Sequence, residues 1–311
     1  MASHTPRHLE PSRKKRPRSP KLPLLLAAAA VVVCAIALPS IGAPASPGPS
    51  SSTSSPQAAA TPTPTPEPTP APPPTPTPTP EPVYDFSQAA PASDPVEMDY
   101  FADALFIGDS RTDGLQLYSG IKGATFYCYK GLTVFELQDR KVVELDGGTY
   151  SVAEALERRQ YAKVYISLGI NELGYFNDQA FEDTFRAFLR QLRQLQPDAV
   201  IYLENLVPVN PDKCKEYKQP YYVTNEQVAV YNEIFSRLAP EEHVVLLDVA
   251  SALSDETGIL ARENTVDGVH FTKAWYKTWL DYLMTHTVDP LEYQAGQSAP
   301  VAEEGETANE A

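Results

Sequence analysis

Cysteine is scarce in this chain, with three among 311 residues: Cys34, Cys128 and Cys214. No Cys-x-x-Cys pair and no His-Glu-x-x-His run occurs, so the ligand spacings of a dedicated zinc site are missing. Histidine is nearly as rare. Five are present, and only His243, His270 and His286 follow residue 83, so an imidazole base has few places to reside. Cationic side chains are also in short supply. Between residues 83 and 290, 18 Lys and Arg stand against 32 Asp and Glu, a net charge of −14. That balance argues against nucleic acid as a partner and against docking on anionic lipid.

Where cations do gather is the first 21 residues, which hold seven of them (Arg7, Arg13, Lys14, Lys15, Arg16, Arg18, Lys21) and one acid, Glu10. Residues 22–38 carry no charge. As a helix this segment spans about 25 Å, close to a hydrocarbon core of about 30 Å. Basic residues ahead of it place that flank in the cytoplasm. The expectation is a single-pass signal anchor with an extracytoplasmic domain; the alternative is a cleaved signal peptide, for which Ala43-Pro44-Ala45 has the small-x-small form. Cys34 reads as one apolar residue of that segment.

Proline is abundant where order is not expected. Residues 39–95 read as a linker dominated by Pro, Thr, Ser and Ala, with Thr-Pro repeated from Thr61. Such a tract cannot bury a core and favours extended polyproline II, so its residues 44–82 reach about 120 Å. Residues 291–311 read as an acidic, disordered tail. Residues 96–290 are then one domain with a sizeable core. Cys128 and Cys214 read as two separate small core or loop residues; a disulfide between them is the alternative that an exported domain permits.

Within that domain, apolar runs at 103–107, 124–129, 163–168, 199–206 and 243–249 alternate with helical patterns at 178–195, 224–238 and 272–286. The runs 163–168 and 243–249 are almost continuously apolar, as in strands covered on both faces. Residues 178–195 place Phe181, Phe185, Phe188, Leu189, Leu192 and Leu195 at spacings of three and four, and Pro197 closes the helix. Thr224 or Asn225, and Thr272, stand as N-caps of the other two. The alternation predicts an α/β fold, a parallel sheet with helices on both faces.

Ser110 lies where the first run ends, in Gly108-Asp109-Ser110-Arg111-Thr112. In open parallel sheets the carboxyl edge is where ligands bind, and a hydroxyl there is a candidate nucleophile if a base and an orienting group are supplied. His270 is the credible base, because Asp267 precedes it by three residues in a loop leading to the last helix; Asp267 can fix the imidazole tautomer and leave Nε2 free. Asn171 follows the third run and can donate to a developing oxyanion. Gly131 follows the second and allows a backbone N–H to approach a ligand closely. Asp109 and Glu172 are expected to orient these loops by hydrogen bonds.

Gly-Asp-Ser at 108–110, Gly131, Gly-Ile-Asn-Glu at 169–172 and Asp-Gly-Val-His at 267–270, in that order, resemble the SGNH (GDSL-like) hydrolase family, in its membrane-anchored bacterial form. The resemblance covers residues 103–286. Glu172 departs from it, standing where relatives often carry Asp. It implies a flavodoxin-like, three-layer α/β/α fold with a five-stranded parallel sheet. It also implies Ser110 as nucleophile, His270 as base, Asp267 as orienter, an oxyanion hole from Ser110, Gly131 and Asn171, and no metal or cofactor. The rival α/β-hydrolase fold requires Gly-x-Ser-x-Gly, whereas position 112 is Thr.

The expected function is an extracytoplasmic serine esterase whose partner is an acyl-ester substrate, with O-acylated cell-wall polysaccharide as the favoured class. A lipid esterase, an O-acyltransferase on the same residues, or a non-catalytic wall-binding module are the alternatives.

Overall fold

A computed structural model describes residues 82–298. The basic segment 1–21, the apolar segment 22–38 with Cys34, most of the expected linker and the end of the acidic tail lie outside the described residues. Among the described residues no helix is long and apolar enough to cross a membrane.

Seven strands form in chain order: β1 (Ala104–Gly108), β2 (Thr125–Cys128), β3 (Val143–Leu145), β4 (Gly148–Tyr150), β5 (Lys163–Ser167), β6 (Val200–Glu204) and β7 (Val245–Leu247). Five of them make one parallel sheet in the order β2-β1-β5-β6-β7. Each of the five apolar runs in the sequence contributes one of these strands. The direction of strand progression reverses beside β1, so its carboxyl end opens the crevice where α/β sheets bind ligands. β3 and β4 form a separate antiparallel hairpin joined by Asp146 and Gly147, both with positive φ.

The helices are α1 (Ser110–Tyr118), α2 (Val152–Leu156), α3 (Asp178–Leu195), α4 (Pro211–Glu216), α5 (Asn225–Glu241), α6 (Val249–Leu253), α7 (Lys273–Met284) and α8 (Pro290–Ser298). They cover both sheet faces, and alternate strand residues feed two cores. Leu105, Ile107, Val164, Ile166, Ile201 and Leu203 join Phe181, Phe185 and Phe188 of α3 and Tyr231 and Phe235 of α5. Phe106, Tyr165, Tyr202 and Val245 point the other way and join Leu115 of α1 and Trp279 and Leu283 of α7. Each fully buried side chain of this size contributes about 1.5–3 kcal/mol. On the second face the register stacks four rings in a row, Phe126 on Phe106, Phe106 on Tyr165 and Tyr165 on Tyr202, with centroids 4.9, 4.6 and 4.5 Å apart.

The folded body extends beyond the 96–290 bounds expected from composition. Part of the expected linker lies on the sheet edge: Ala89 pairs in parallel with Leu246 of β7, and the Ala90 N–H donates to the Leu246 carbonyl at 2.8 Å. Phe86 is buried, stacked on His243 at 5.1 Å and edge-on to Tyr293 at 5.5 Å. The start of the expected tail is α8, whose buried Tyr293 accepts a hydrogen bond from the Ile201 N–H. An edge strand leaves backbone groups unpaired, and this strap and helix cover β7 with the aromatic rings that a reading by polar composition overlooks.

β6 ends in Glu204, a buried carboxyl whose Oε2 accepts from Trp279 Nε1 at 2.9 Å while Oε1 has no partner. Burial pushes its pKa up to about 8, with only the Trp279 bond opposing. The folded state therefore holds this proton more tightly than the unfolded chain, whose Glu titrates near 4.3. The associated stability is fully present below about pH 4 and is lost as pH rises through about 8. Glu204→Gln keeps an acceptor for Trp279 without the charge. Its urea midpoint should gain on that of the wild type between pH 5 and pH 9; an equal difference at both pH values would contradict the assignment.

Candidate active site

The loops at the carboxyl ends of β1, β2 and β5 and the loop that precedes α7 meet around Ser110. The serine is the first residue of α1, which Asp109 caps by accepting from the Arg111 N–H at 2.8 Å. At that position the Ser110 N–H has no acceptor within the helix, and the helix dipole favours negative charge beside it. β1 reaches this turn by way of Gly108, packed so closely that a Cβ there would lie 1.9 Å from Thr112 Oγ1 and 2.8 Å from the Ser167 carbonyl oxygen.

Ser110 Oγ lies 2.8 Å from His270 Nε2, and His270 Nδ1 lies 2.7 Å from Asp267 Oδ2. Asp267 Oδ1 accepts from the backbone N–H groups of Val269 and His270 at 3.0 and 2.8 Å. One carboxylate oxygen thus closes the turn while the other fixes the ring. Burial alone would raise the Asp267 pKa, but the hydrogen bonds from the His270 ring and from these two amides outweigh it and hold the carboxyl well below its usual range. As an ionised acceptor it sets Nδ1 as the donor, which leaves the Nε2 lone pair for the serine hydroxyl. The turn needs glycine at 268, where φ is +94° and a Cβ would meet Cys214 Sγ at 2.5 Å. The other two histidines lie elsewhere, His243 on Phe86 and His286 stacked on Tyr282.

Asn171 and Gly131 line the same cavity of about 690 Å³ as Ser110 and His270. Asn171 Nδ2 donates to the Leu132 carbonyl at 3.1 Å and to Asp109 Oδ2 at 3.3 Å. These contacts hold the amide against the nucleophile turn and the β2 loop together. Gly131 has φ +75° in the turn closed by the Leu132 N–H on the Tyr129 carbonyl, and a Cβ there would meet nothing within 4 Å. Glu172 orients the neighbouring loop, as its sequence position suggests: Oε1 accepts from the Val134 N–H at 2.7 Å and Oε2 is unpartnered. Burial, reinforced by the charge of Asp109, pushes its pKa up to about 8, which favours the neutral carboxyl. Burial likewise lifts Asp109 to about 6 against its bonds to Arg111.

Arg111 is a contributor that sequence reasoning left without a role. It is 3% exposed. Its Nε donates to the Val269 carbonyl at 3.0 Å and its Nη1 to the Val207 carbonyl at 2.9 Å, while the guanidinium lies 5.0 Å from the Phe271 ring centroid. The residue after the nucleophile therefore clamps the backbone next to the base. From behind, the Asn210 N–H holds the Gly268 carbonyl at 2.9 Å. Lys130 and Lys273 stand at the cavity mouth, with Leu117, Tyr118 and Val266 as its apolar rim. Cys128 and Cys214 are both free thiols. Among the described residues no group of three or more His, Cys, Asp or Glu is placed to hold a metal ion.

Residues 106–278, more than half of the chain, match the model of the GDSL-like Lipase/Acylhydrolase family. A stretch of 73 residues is 33% identical to the isoamyl acetate-hydrolyzing esterase of Saccharomyces cerevisiae (strain ATCC 204508 / S288c), covering 24% of this chain and 31% of that protein. The match thus spans about a third of the relative's length. Similar solved structures include a protein from Streptococcus pneumonia provisionally named a platelet activating factor (26% identity, TM-score 0.47, 58% of this chain and 81% of that one). Another is a protein from Desulfitobacterium hafniense DCB-2 provisionally named a lipolytic protein of the G-D-S-L family (18% identity, TM-score 0.44, 58% and 97%).

Gly108→Ala tests how tightly this site is built. Its methyl group would press on Thr112 and on the β5 backbone, so a loss of about 1–3 kcal/mol is expected from overpacking, read as a lowered Tm. An unchanged Tm would mean that β1 and β5 tolerate separation at the nucleophile turn.

Proposed function

The chain belongs to the GDSL-like lipase/acylhydrolase family, and from that premise we propose that its domain is a serine esterase that works through an acyl-enzyme and removes O-acyl groups, acetyl among them, from cell-envelope carbohydrate. The observation that carries the chemistry is the aligned relay Ser110 Oγ, His270 Nε2, His270 Nδ1 and Asp267 Oδ2, with contacts of 2.8 and 2.7 Å.

In this reading Ser110 Oγ attacks the ester carbonyl as its proton passes to His270 Nε2. The imidazolium that forms is stabilised by Asp267. Negative charge on the former carbonyl oxygen is met by the Ser110 and Gly131 N–H groups and by Asn171 Nδ2, which exchanges its longer, 3.3 Å contact with Asp109 Oδ2 for the oxyanion. Collapse breaks the C–O bond to the alcohol, which leaves with the proton from His270. Water, deprotonated by the same nitrogen, then attacks the acyl carbon, and release of the acid returns the proton to Ser110 Oγ. No step calls for a metal or redox group.

The location and substrate rest on the remainder of the chain. A basic segment followed by an uncharged one suits a membrane anchor with the domain outside, and the Pro/Thr tract suits a spacer reaching into an envelope. The acidic domain suits a neutral acylated sugar over a polyanion. The exposed Leu117, Tyr118 and Val266 at the cavity mouth favour a second reading, hydrolysis of a longer-chain lipid ester.

Full-length protein should hydrolyse p-nitrophenyl acetate, and acetate in preference to octanoate. Ser110→Ala should lower kcat by several orders of magnitude, at least about 10³-fold. Asn171→Ala should lower it about 10²–10³-fold with little change in KM, as expected for a donor used in the transition state. A preference for octanoate would favour the lipid reading, and equal rates in wild type and Ser110→Ala would overturn the mechanism.

A further inference from the structure

Asn171 faces two hollows. Besides the cavity that holds Ser110, it lines a second concavity of about 260 Å³ together with Phe135, Glu172, Gly174, Tyr175 and Tyr222. The second hollow is rich in rings. Phe135 and Tyr175 lie 4.2 Å apart at 38°, and the Tyr222 ring lies so close to Gly174 that a Cβ there would meet it at 2.9 Å. From its rim the rings continue outward. Tyr221 meets Tyr222 edge-on at 5.5 Å, and Phe176 lies nearly parallel to Tyr221, 18° between planes with centroids 6.4 Å apart.

Such rings are costly to leave in water. Tyr175, Phe176 and Tyr221 are 48, 68 and 82% exposed, and Phe176 and Tyr221 lie beside each other. Contiguous exposed apolar surface of this kind marks a binding site. Phe176 is also held in a left-handed backbone conformation, φ +53°, which a bulky side chain rarely adopts. It immediately precedes Asn177, the N-cap of α3, so the chain turns into that helix with the Phe176 ring left outside.

The hollow is lined by polar groups as well as rings, with Thr133, Asn171 and Glu172 among them. Glu172 is 2% exposed, and its Oε2 has no partner although the residue belongs to the lining. Burial favours the neutral form of its carboxyl, and no other Asp, Glu, Lys, Arg or His belongs to the lining, which presents rings, amide and hydroxyl groups. Within the hollow an anionic ligand finds no cation among the lining residues. An alkyl chain would gain from enclosure, whereas Tyr175, Phe176 and Tyr221 stand largely open to solvent. A pyranose ring matches both features, because its C–H faces pack on aromatic faces while its hydroxyl edges hydrogen-bond to amides, carboxyls and phenols.

We propose that the rings of Phe135, Tyr175, Phe176, Tyr221 and Tyr222 form a platform for a neutral sugar residue of the substrate glycan, next to the one whose ester is cleaved. The proposal rests on the carbohydrate-esterase reading and deepens it. Because Asn171 belongs to both hollows, a glycan lying on the platform enters the reaction site from the Asn171 side, with its acylated residue over Ser110. The platform adds binding to the carrier and leaves the chemistry on small esters untouched.

The test separates the two claims. Full-length Ser110→Ala is titrated by calorimetry with cellotetraose, chitotetraose and xylotetraose, none of them acylated. At least one should bind. Phe176→Ala combined with Tyr221→Ala should weaken that binding about fivefold to tenfold, from the loss of two ring contacts, whereas Phe176→Tyr with Tyr221→Phe should retain it. Both positions are exposed, so the fold does not depend on them. With Ser110 intact, the same alanine pair should hydrolyse p-nitrophenyl acetate at the wild-type kcat/KM. Absence of binding to all three sugars, binding that the alanine pair leaves unchanged, or loss of p-nitrophenyl acetate hydrolysis in the alanine pair would each overturn the platform. Absence of p-nitrophenyl acetate hydrolysis in the wild type would instead overturn the esterase reading, and the sugar titration would still judge the platform.

Discussion

The 2.8 Å contact between Ser110 Oγ and His270 Nε2 joins residues 160 positions apart, and most of the structure can be understood as what that contact requires. Neither loop can hold its position alone. Ser110 is fixed by the end of β1 and the first turn of α1, a rigid junction because Gly108 is pressed against Thr112 and β5. His270 is fixed by a three-residue turn that Asp267 closes on itself. What brings the two together is the parallel sheet, which delivers every strand's carboxyl end to one edge, and the buried Arg111, which reaches from the nucleophile helix to the Val269 carbonyl.

The same economy governs the carboxylates. Three acids near the site differ in how readily they ionise because their surroundings differ. Asp267 receives three hydrogen bonds and stays ionised. Asp109 is buried but bonded to the Arg111 N–H and to Asn171. Glu172 is buried with one donor, which favours its neutral form. An ionised orienter, a capped turn and a wall biased to the neutral form thus arise from a single residue class, divided by how many donors each acid meets.

Much of this was legible in the chain. The runs behind β1, β5 and β6 were plain because central parallel strands are buried on both faces and cannot disguise their composition, and the runs at the edges, β2 and β7, are still apolar enough to show. The spacing of Phe181, Phe185, Phe188 and Leu192 gave α3 its limits for the same reason. Ser110 and Asn171 were readable because each stands just after a strand run, and Asp267 and His270 because an acid precedes one of the few histidines by three residues. The β3–β4 hairpin escaped notice although Leu145-Asp146-Gly147-Gly148 carries its turn signal, since strands of three residues have almost no pattern. The strap at Phe86 and helix α8 escaped because a few rings in polar surroundings show no periodicity. Arg111 escaped because a cation on the first turn of a helix reads as solvated; its burial is decided by carbonyls at 207 and 269, far along the chain. The aromatic platform is dispersed over positions 135, 175, 176, 221 and 222, and only folding assembles it.

The central claim is that Ser110 becomes acylated. The most direct measurement is intact-mass and peptide analysis of full-length protein quenched in acid during turnover of p-nitrophenyl acetate. The account predicts one added acetyl group on the peptide containing Ser110, absent from Ser110→Ala and from His270→Ala. Turnover with no label on that peptide, or with the label on another residue, would contradict it.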